Sequence, residues 1–315
     1  MKHFIFIFHL AALLMTPAAL PAADVLAPRT EVPEPKDLPP ELKKKAQEIK
    51  QQQASVRDLM KEGKYAEAEK ILRSLIADFK TLFAADNALL PDCQGALGTC
   101  LRAQGKAEEA ETEFRAAWLG YLKHSGADHP ETLRLHNALA ETLHQERKYE
   151  EAEKEIRAVV KELARVNGPE HPSTLLNRSN LAAVLSDQHK LAEAETELRD
   201  LIKVEMRVMG IDHQATLMAK GSLAIILRDE GKLEEAEKEF RSVLLFMDLN
   251  PGEGNPDTLT FRYHFALCLT IEKKFAEAEK EAQQGLAAAT NKLGNDHPST
   301  KALETLVMGL QRVPK

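Results

Sequence analysis

One triplet, Glu-Ala-Glu, recurs along the chain, starting at Glu67, Glu109, Glu151, Glu193, Glu235 and Glu277, each start 42 residues after the one before. Spacing held without slippage marks an array of structural repeats, in which each unit buries its apolar face against its neighbours. Other marks keep the same interval. A His-Pro-x-Thr sequence begins at His129, His171 and His297, with looser copies at His213-Gln214-Ala215-Thr216 and Asn255-Pro256-Asp257-Thr258. Gly126, Gly168, Gly210, Gly252 and Gly294 stand just ahead of them.

The stretch from His171 to Asp212 shows the grammar of one repeat. Pro172 belongs in the first turn of a helix, where its missing N–H is not needed. Leu175, Asn180, Leu181, Ala182 and Leu185 follow at helical spacing. The pattern breaks at Gln188-His189-Lys190, and a second helix runs from Leu191 to Met209, closed by Gly210. Each repeat is therefore two antiparallel helices. Asp128, Asp212 and Asp296 are the expected N-caps of the first helices.

The central alanines of the triplet, Ala68, Ala110, Ala152, Ala194, Ala236 and Ala278, suit a close helix crossing that admits nothing larger than methyl. Opposite them the first helices offer large–small pairs: Leu97-Gly98, Leu139-Ala140, Leu181-Ala182, Leu223-Ala224 and Phe265-Ala266. Leu72, Phe114, Ile156, Leu198 and Phe240 lie one turn beyond the triplet and fill the space between repeats. The flanking glutamates are expected to face solvent. The ends depart from this grammar. Pro39-Pro40-Glu41 replaces the usual start, with a first helix from Lys43 to Lys61. The second repeat begins near Pro91, and the stretch from Lys301 to Gln311 is a lone first helix. Residues 41–312 thus form six helix pairs and one closing helix, thirteen helices in all.

Residues 1–23 have the layout of a secretory signal peptide: Lys2, an apolar run from Phe4 to Met15, then small residues from Pro17 to Ala23, with cleavage after Ala22 or Ala23. The run falls short of the roughly 20 residues that span a bilayer. Residues 24–40, holding Pro28, Pro33, Pro35, Pro39 and Pro40, form an extended tether. The expectation is an exported protein, periplasmic or extracellular, with no membrane span after signal removal. Its net charge of −7 with interleaved signs lacks the basic stripe of a nucleic-acid binder. Three cysteines make an odd count that argues against a disulfide framework. Cys93 and Cys100 lie two turns apart on one helix, about 10 Å along its axis, beyond disulfide reach. Cys100 and Cys268 share a position with Thr142, Val184 and Ile226, so packing is their expected role.

The small residues in both helices and the large one after the second resemble the tetratricopeptide repeat. The 42-residue length, the Asp-His-Pro-x-Thr-Leu start and the turn from Lys148 to Glu153 are more specifically similar to the repeats of kinesin light chain. The resemblance implies an all-α, right-handed superhelical solenoid of antiparallel helix pairs whose first helices line a concave groove. The heptad coiled coil of kinesin light chains is absent, so no motor role follows.

Carried over by register, the groove positions are Arg102, then Arg134, Asn137, Glu141 and His144, then Leu176, Asn180, Ala183 and Asp187. Next come Met218, Ser222, Ile225 and Arg228, and finally Tyr263, His264 and Leu267. Kinesin light chains use groove asparagines and arginines on peptide backbones and acidic groups. Asn180 matches that asparagine register, whereas Asn137 is displaced by one. The groove is expected to offer polar anchors toward its N-terminal end and apolar pockets toward its C-terminal end.

Chemistry at a single centre is not expected. His129, His171, His213 and His297 recur once per repeat, and packed helices are roughly 8–10 Å apart, so the row cannot close on a metal at about 2 Å. They are expected to serve helix starts. No glycine-rich phosphate loop, His-Glu-x-x-His or Gly-x-Ser-x-Gly occurs. The expectation is therefore no catalysis, no cofactor and no metal. The chain is expected to be an exported scaffold or adaptor that binds a protein or peptide partner. The alternatives are a peptide-responsive regulator and an accessory subunit of an envelope enzyme complex.

Overall fold

The computed structural model describes residues 40–82, 89–249 and 254–312. The expected signal peptide (1–23), the tether up to residue 39 and Gly252 lie outside the described residues. Among the described residues there are thirteen helices and no strand: α1 (Pro40–Lys61), α2 (Tyr65–Leu82), α3 (Leu90–Ala103), α4 (Ala107–Ser125), α5 (Pro130–Gln145), α6 (Tyr149–Val166), α7 (Pro172–Asp187), α8 (Leu191–Val208), α9 (Gln214–Asp229), α10 (Leu233–Met247), α11 (Pro256–Ile271), α12 (Phe275–Leu293) and α13 (Pro298–Gln311). They fall into two compact units, one ending at Asn177 and one beginning at Arg178, inside α7.

Each helix start and stop has a local cause. From α5 on, the first helices are capped by histidine or asparagine, not by the expected Asp128, Asp212 and Asp296. Nδ1 of His129, His213 and His297 accepts the backbone N–H two residues on at 3.2 Å, and Asn255 Oδ1 does so at 2.9 Å. The cap must sit on the last extended residue before the helix, and that residue is the histidine (φ −67°, ψ 133° at His129), one place beyond the aspartate. The following threonine fixes the loop. Oγ1 of Thr132, Thr174, Thr216 and Thr300 donates to the carbonyl of Gly126, Gly168, Gly210 and Gly294 at 2.8 Å each.

The turn inside each pair repeats as faithfully. The N–H of Lys64, Lys106, Lys148, Lys190, Lys232 and Lys274 returns to the carbonyl of a leucine five residues earlier, at 2.8–2.9 Å. This is the bonding of a helix closed by a left-handed residue. That residue is Gly63, Gly105 and Gly231 in three repeats, but Arg147, His189 and Lys273 in the others, with φ of 61°, 59° and 64°.

Packing follows the small-to-large logic. All six triplet alanines are fully buried, as are Leu72, Phe114 and Phe240. A methyl on Gly98 would stand 2.9 Å from the Phe114 ring, so the aromatic residue lies directly on the α3 backbone. In the C-terminal unit Phe240 meets Phe265 with centroids 5.7 Å apart. Cys93, Cys100 and Cys268 are free and buried, and burial pushes their thiols up to about 12, 12 and 11.

The second glutamate of each triplet is not a solvent mark. Glu69 takes Arg73 Nε at 2.9 Å and Lys106 Nζ at 2.8 Å, while the same Arg73 reaches Glu109 of the next triplet. Glu111 pairs with Arg115 and Lys148 at 2.8 and 2.6 Å. In the C-terminal unit Glu195 joins Arg199 and Lys232 at 2.8 and 2.6 Å, and Glu237 joins Arg241 and Lys274. The first glutamate of each triplet is the exposed one, yet Glu235 and Glu277 each accept an arginine of the preceding repeat, as Glu109 does. The Lys106 and Lys232 hydrogen bonds outweigh partial burial and hold Glu69 and Glu195 at about 2.

At the far end α13 carries Met308 where full repeats have Gly98, Ala140, Ala182, Ala224 or Ala266. It carries Gln311 where they have Leu101, Leu143, Leu185, Leu227 or Leu269. Both are exposed. A side chain too large for the crossing and a polar one in place of leucine give α13 a solvent face.

Candidate functional site: the outward strips of the first helices

Past the first turn, the residues of α5 and α9 that are not buried run down one strip. On α5 they are Arg134, Asn137, Glu141 and His144, with Gln145 at its end, and on α9 they are Met218, Ser222 and Asp229, with Ile225 just beneath. Spacings of three and four place them on one helix face. Neighbouring first helices also touch directly: α9 against α11 and α11 against α13.

In the N-terminal unit the strip is polar and partly self-paired. Arg102 Nη1 on α3 donates to Glu141 Oε2 on α5 at 2.8 Å, and Asn137 Nδ2 donates to Glu141 Oε1 at 2.8 Å. One carboxylate thus brings Arg102 and Asn137 together. Arg102 also lies over the Phe114 ring, 5.5 Å from its centroid. Arg134 Nε is held by Glu131 at 2.7 Å, leaving its Nη2 enclosed and without a hydrogen-bond partner among the described residues. Asn137 Oδ1 is in the same condition one turn on. His144 rests against Tyr149 at 5.8 Å.

The C-terminal unit departs from expectation. Asn180, Met218 and Ser222 are half-buried on the strip, but Arg228, Tyr263 and His264 are not open to it. Arg228 Nη1 donates to His264 Nδ1 at 2.7 Å, and its Nε and Nη2 donate to Asp229 Oδ1 at 2.9 and 2.6 Å. His264 is 4% exposed, and burial, helped by the Arg228 charge, drives its imidazole down to about 3. Tyr263 packs with Leu259, Ala289 and Leu303. Its register partners are Gly95, Asn137, Ser179 and Gly221, and the larger ring here extends into the core around α13.

A second ionic series had a signal in the sequence that the triplet overshadowed. Each triplet from the second on has a further glutamate four residues after its start: Glu113, Glu155, Glu197, Glu239 and Glu281. Four of these meet the first helix of their own pair, nineteen residues back: His136 at 2.7 Å, Arg178 at 2.6 Å, Lys220 at 3.4 Å and Arg262 at 2.5 Å. His136 also stacks on Trp118, centroids 4.3 Å apart. These pairs tie helices of one repeat together and stand apart from the strips.

Among the described residues no three His, Cys, Asp or Glu side chains are grouped so that they could hold a metal. None of the described helices is long and apolar enough to cross a membrane.

Residues 92–131, 131–204 and 174–244 match models of the tetratricopeptide repeat. No curated protein matches the chain. Among solved structures it is similar to a putative kinesin light chain of Podosopora anserina with nearly identical repeats, at 21% identity and TM-score 0.58, covering 64% of this chain and 95% of that one. It is also similar to the quorum sensor NprR of B. thuringiensis in its apo form, at 13% identity and TM-score 0.67, covering 87% and 75%. The structure of NprR in complex with its cognate peptide NprX matches at 13% identity and TM-score 0.55, covering 86% and 73%. At such identities the likeness is one of fold. This chain is a tetratricopeptide repeat protein, with repeats similar to those of kinesin light chains.

Proposed function

We propose that the protein is an exported, non-catalytic scaffold that holds an extended segment of a partner protein along the strips of its first helices. One observation carries the reading. Positions that pack repeat from unit to unit, such as Leu97, Leu139, Leu181 and Leu223, whereas the strip diverges in kind, from Arg134 to Leu176, Met218 and Thr260 at one position. Packing demands sameness; a surface that reads a sequence demands difference. Rigid helices present such a surface with little ordering cost on binding. Export rests on the pattern of residues 1–23.

The test replaces Arg134 and Asn137 together by Ala and compares partner capture from the envelope fraction with that of wild type. Glu193→Ala, exposed on α8, serves as the control. Loss of a partner in the double variant alone supports the reading, and retention of every partner ends it. The mass of the mature protein checks export: its N-terminus should be Ala23 or Asp24. A second reading, a regulator that changes shape when peptide binds, draws support from the fold shared with peptide-bound NprR. An unchanged scattering radius with bound peptide would remove it.

A further inference from the structure

The strip of the C-terminal unit differs in chemistry from that of the N-terminal unit. Ahead of Asp229 the strip on α9 and α11 is formed by Met218, Ser222, Ile225, Thr260 and Leu267, none of them charged. The arginine at this level, Arg228, is 8% exposed, with its donors turned to His264 Nδ1 and Asp229 Oδ1. The strip of α9 ends on the Asp229 carboxylate, which is exposed. On the N-terminal unit, by contrast, Arg102 and Arg134 are only half-buried.

Resting on the reading above, we infer that the α9–α11 face takes an uncharged, apolar stretch of the partner, carrying large aliphatic side chains and no Asp or Glu. A carboxylate arriving there would give up water without meeting a cation, since Arg228 is already satisfied, and it would approach Asp229. An aliphatic side chain loses nothing by leaving water and covers Met218, Ile225 and Leu267. The discrimination is thus made partly by exclusion: sequestering the arginine removes the group that an acidic ligand would need.

The experiment is selection from a random peptide library displayed on phage against the full chain. Recovered peptides are then measured by fluorescence anisotropy against wild type, Leu267→Glu and Ser222→Arg. Met218→Glu stands in if Leu267→Glu lowers the melting temperature. The expected peptides are rich in Leu, Ile and Met and poor in Asp and Glu, and bind at least tenfold more weakly to Leu267→Glu. Selection on Ser222→Arg should restore acidic residues. Acidic peptides from wild type, sensitive to Leu267→Glu, would overturn this inference while leaving the groove reading intact. Peptides indifferent to Leu267→Glu but lost with Arg134→Ala would overturn it in the same way. Binding unaffected by any strip substitution would overturn both. Concentration-dependent dimerisation that Leu267→Glu abolishes would assign the face to a second copy and contradict the inference.

Discussion

Arg228 and His264 meet inside the C-terminal unit, guanidinium Nη1 to imidazole Nδ1 at 2.7 Å. An arginine can only donate, so His264 accepts with an unprotonated Nδ1 and is neutral. Removing the arginine strands a buried acceptor and frees Asp229 from its bridge. Arg228→Ala is expected to cost about 2 kcal/mol, read as a lowered urea midpoint. The pair also has an acid sign. With the folded pKa of His264 depressed to about 3, its contribution is fully present above the unfolded value of about 6.5 and is lost as pH falls through the folded one. His264→Gln, which keeps an acceptor but cannot titrate, should flatten stability between pH 6.5 and 4 relative to wild type.

Glu205 carries the opposite sign. It occupies the position of Phe79, Tyr121, Leu163, Met247 and Ala289, and is 2% exposed. Burial raises its carboxyl to about 7, with Arg178 opposing. A raised carboxyl favours the fold below its unfolded value of about 4.3, and that advantage is lost as pH rises through 7. Glu205→Met, the residue of the next repeat, should therefore stabilise by about 2 kcal/mol at pH 8 and by clearly less at pH 4.5. Equal effects at both pH values would show that Glu205 is not buried as a carboxyl.

The left-handed turn residues offer a stabilisation that touches no packing. At Arg147, His189 and Lys273 a side chain occupies a conformation that Gly63, Gly105 and Gly231 adopt freely. Relief of left-handed strain, about 1–2 kcal/mol, exceeds the entropy that glycine costs in the unfolded chain, about 0.4–1 kcal/mol. His189→Gly should raise stability by about 0.5–1 kcal/mol, and Gly231→Ala should lower it by a similar amount, both measurable by urea denaturation.

Gly221 is under a different constraint. A Cβ there would lie 2.3 Å from the Phe261 ring. Gly221→Ala should destabilise by about 1–3 kcal/mol, and Gly221→Ala with Phe261→Leu should recover part of that loss, as a double-mutant cycle would show.

The repeat ruler made the helices legible, because helix ends are set locally: proline at the start, glycine at the stop, alanine at the crossing. It also identified which residues share a strip. It could not say how deep each lies. Tyr263 and His264 sit at strip positions on α11, yet their burial depends on Leu303 of the next first helix, α13, and on Arg228 of the preceding one, α9. Such cross-repeat contacts follow from side-chain size and reach, not from spacing. The same holds for Glu69 and Glu195, whose partners Lys106 and Lys232 lie 37 residues on. The histidine caps were missed because an aspartate beside a helix start is the stronger prior, and only the backbone shows which residue is the last extended one.

The central claim, that the first-helix strips bind a partner segment, is tested most directly by amide hydrogen exchange of the full chain with and without a selected peptide. Slowed exchange in α5, α9 and α11, with α4, α6 and α10 unchanged, is the predicted result. Slowing confined to the second helices would contradict it.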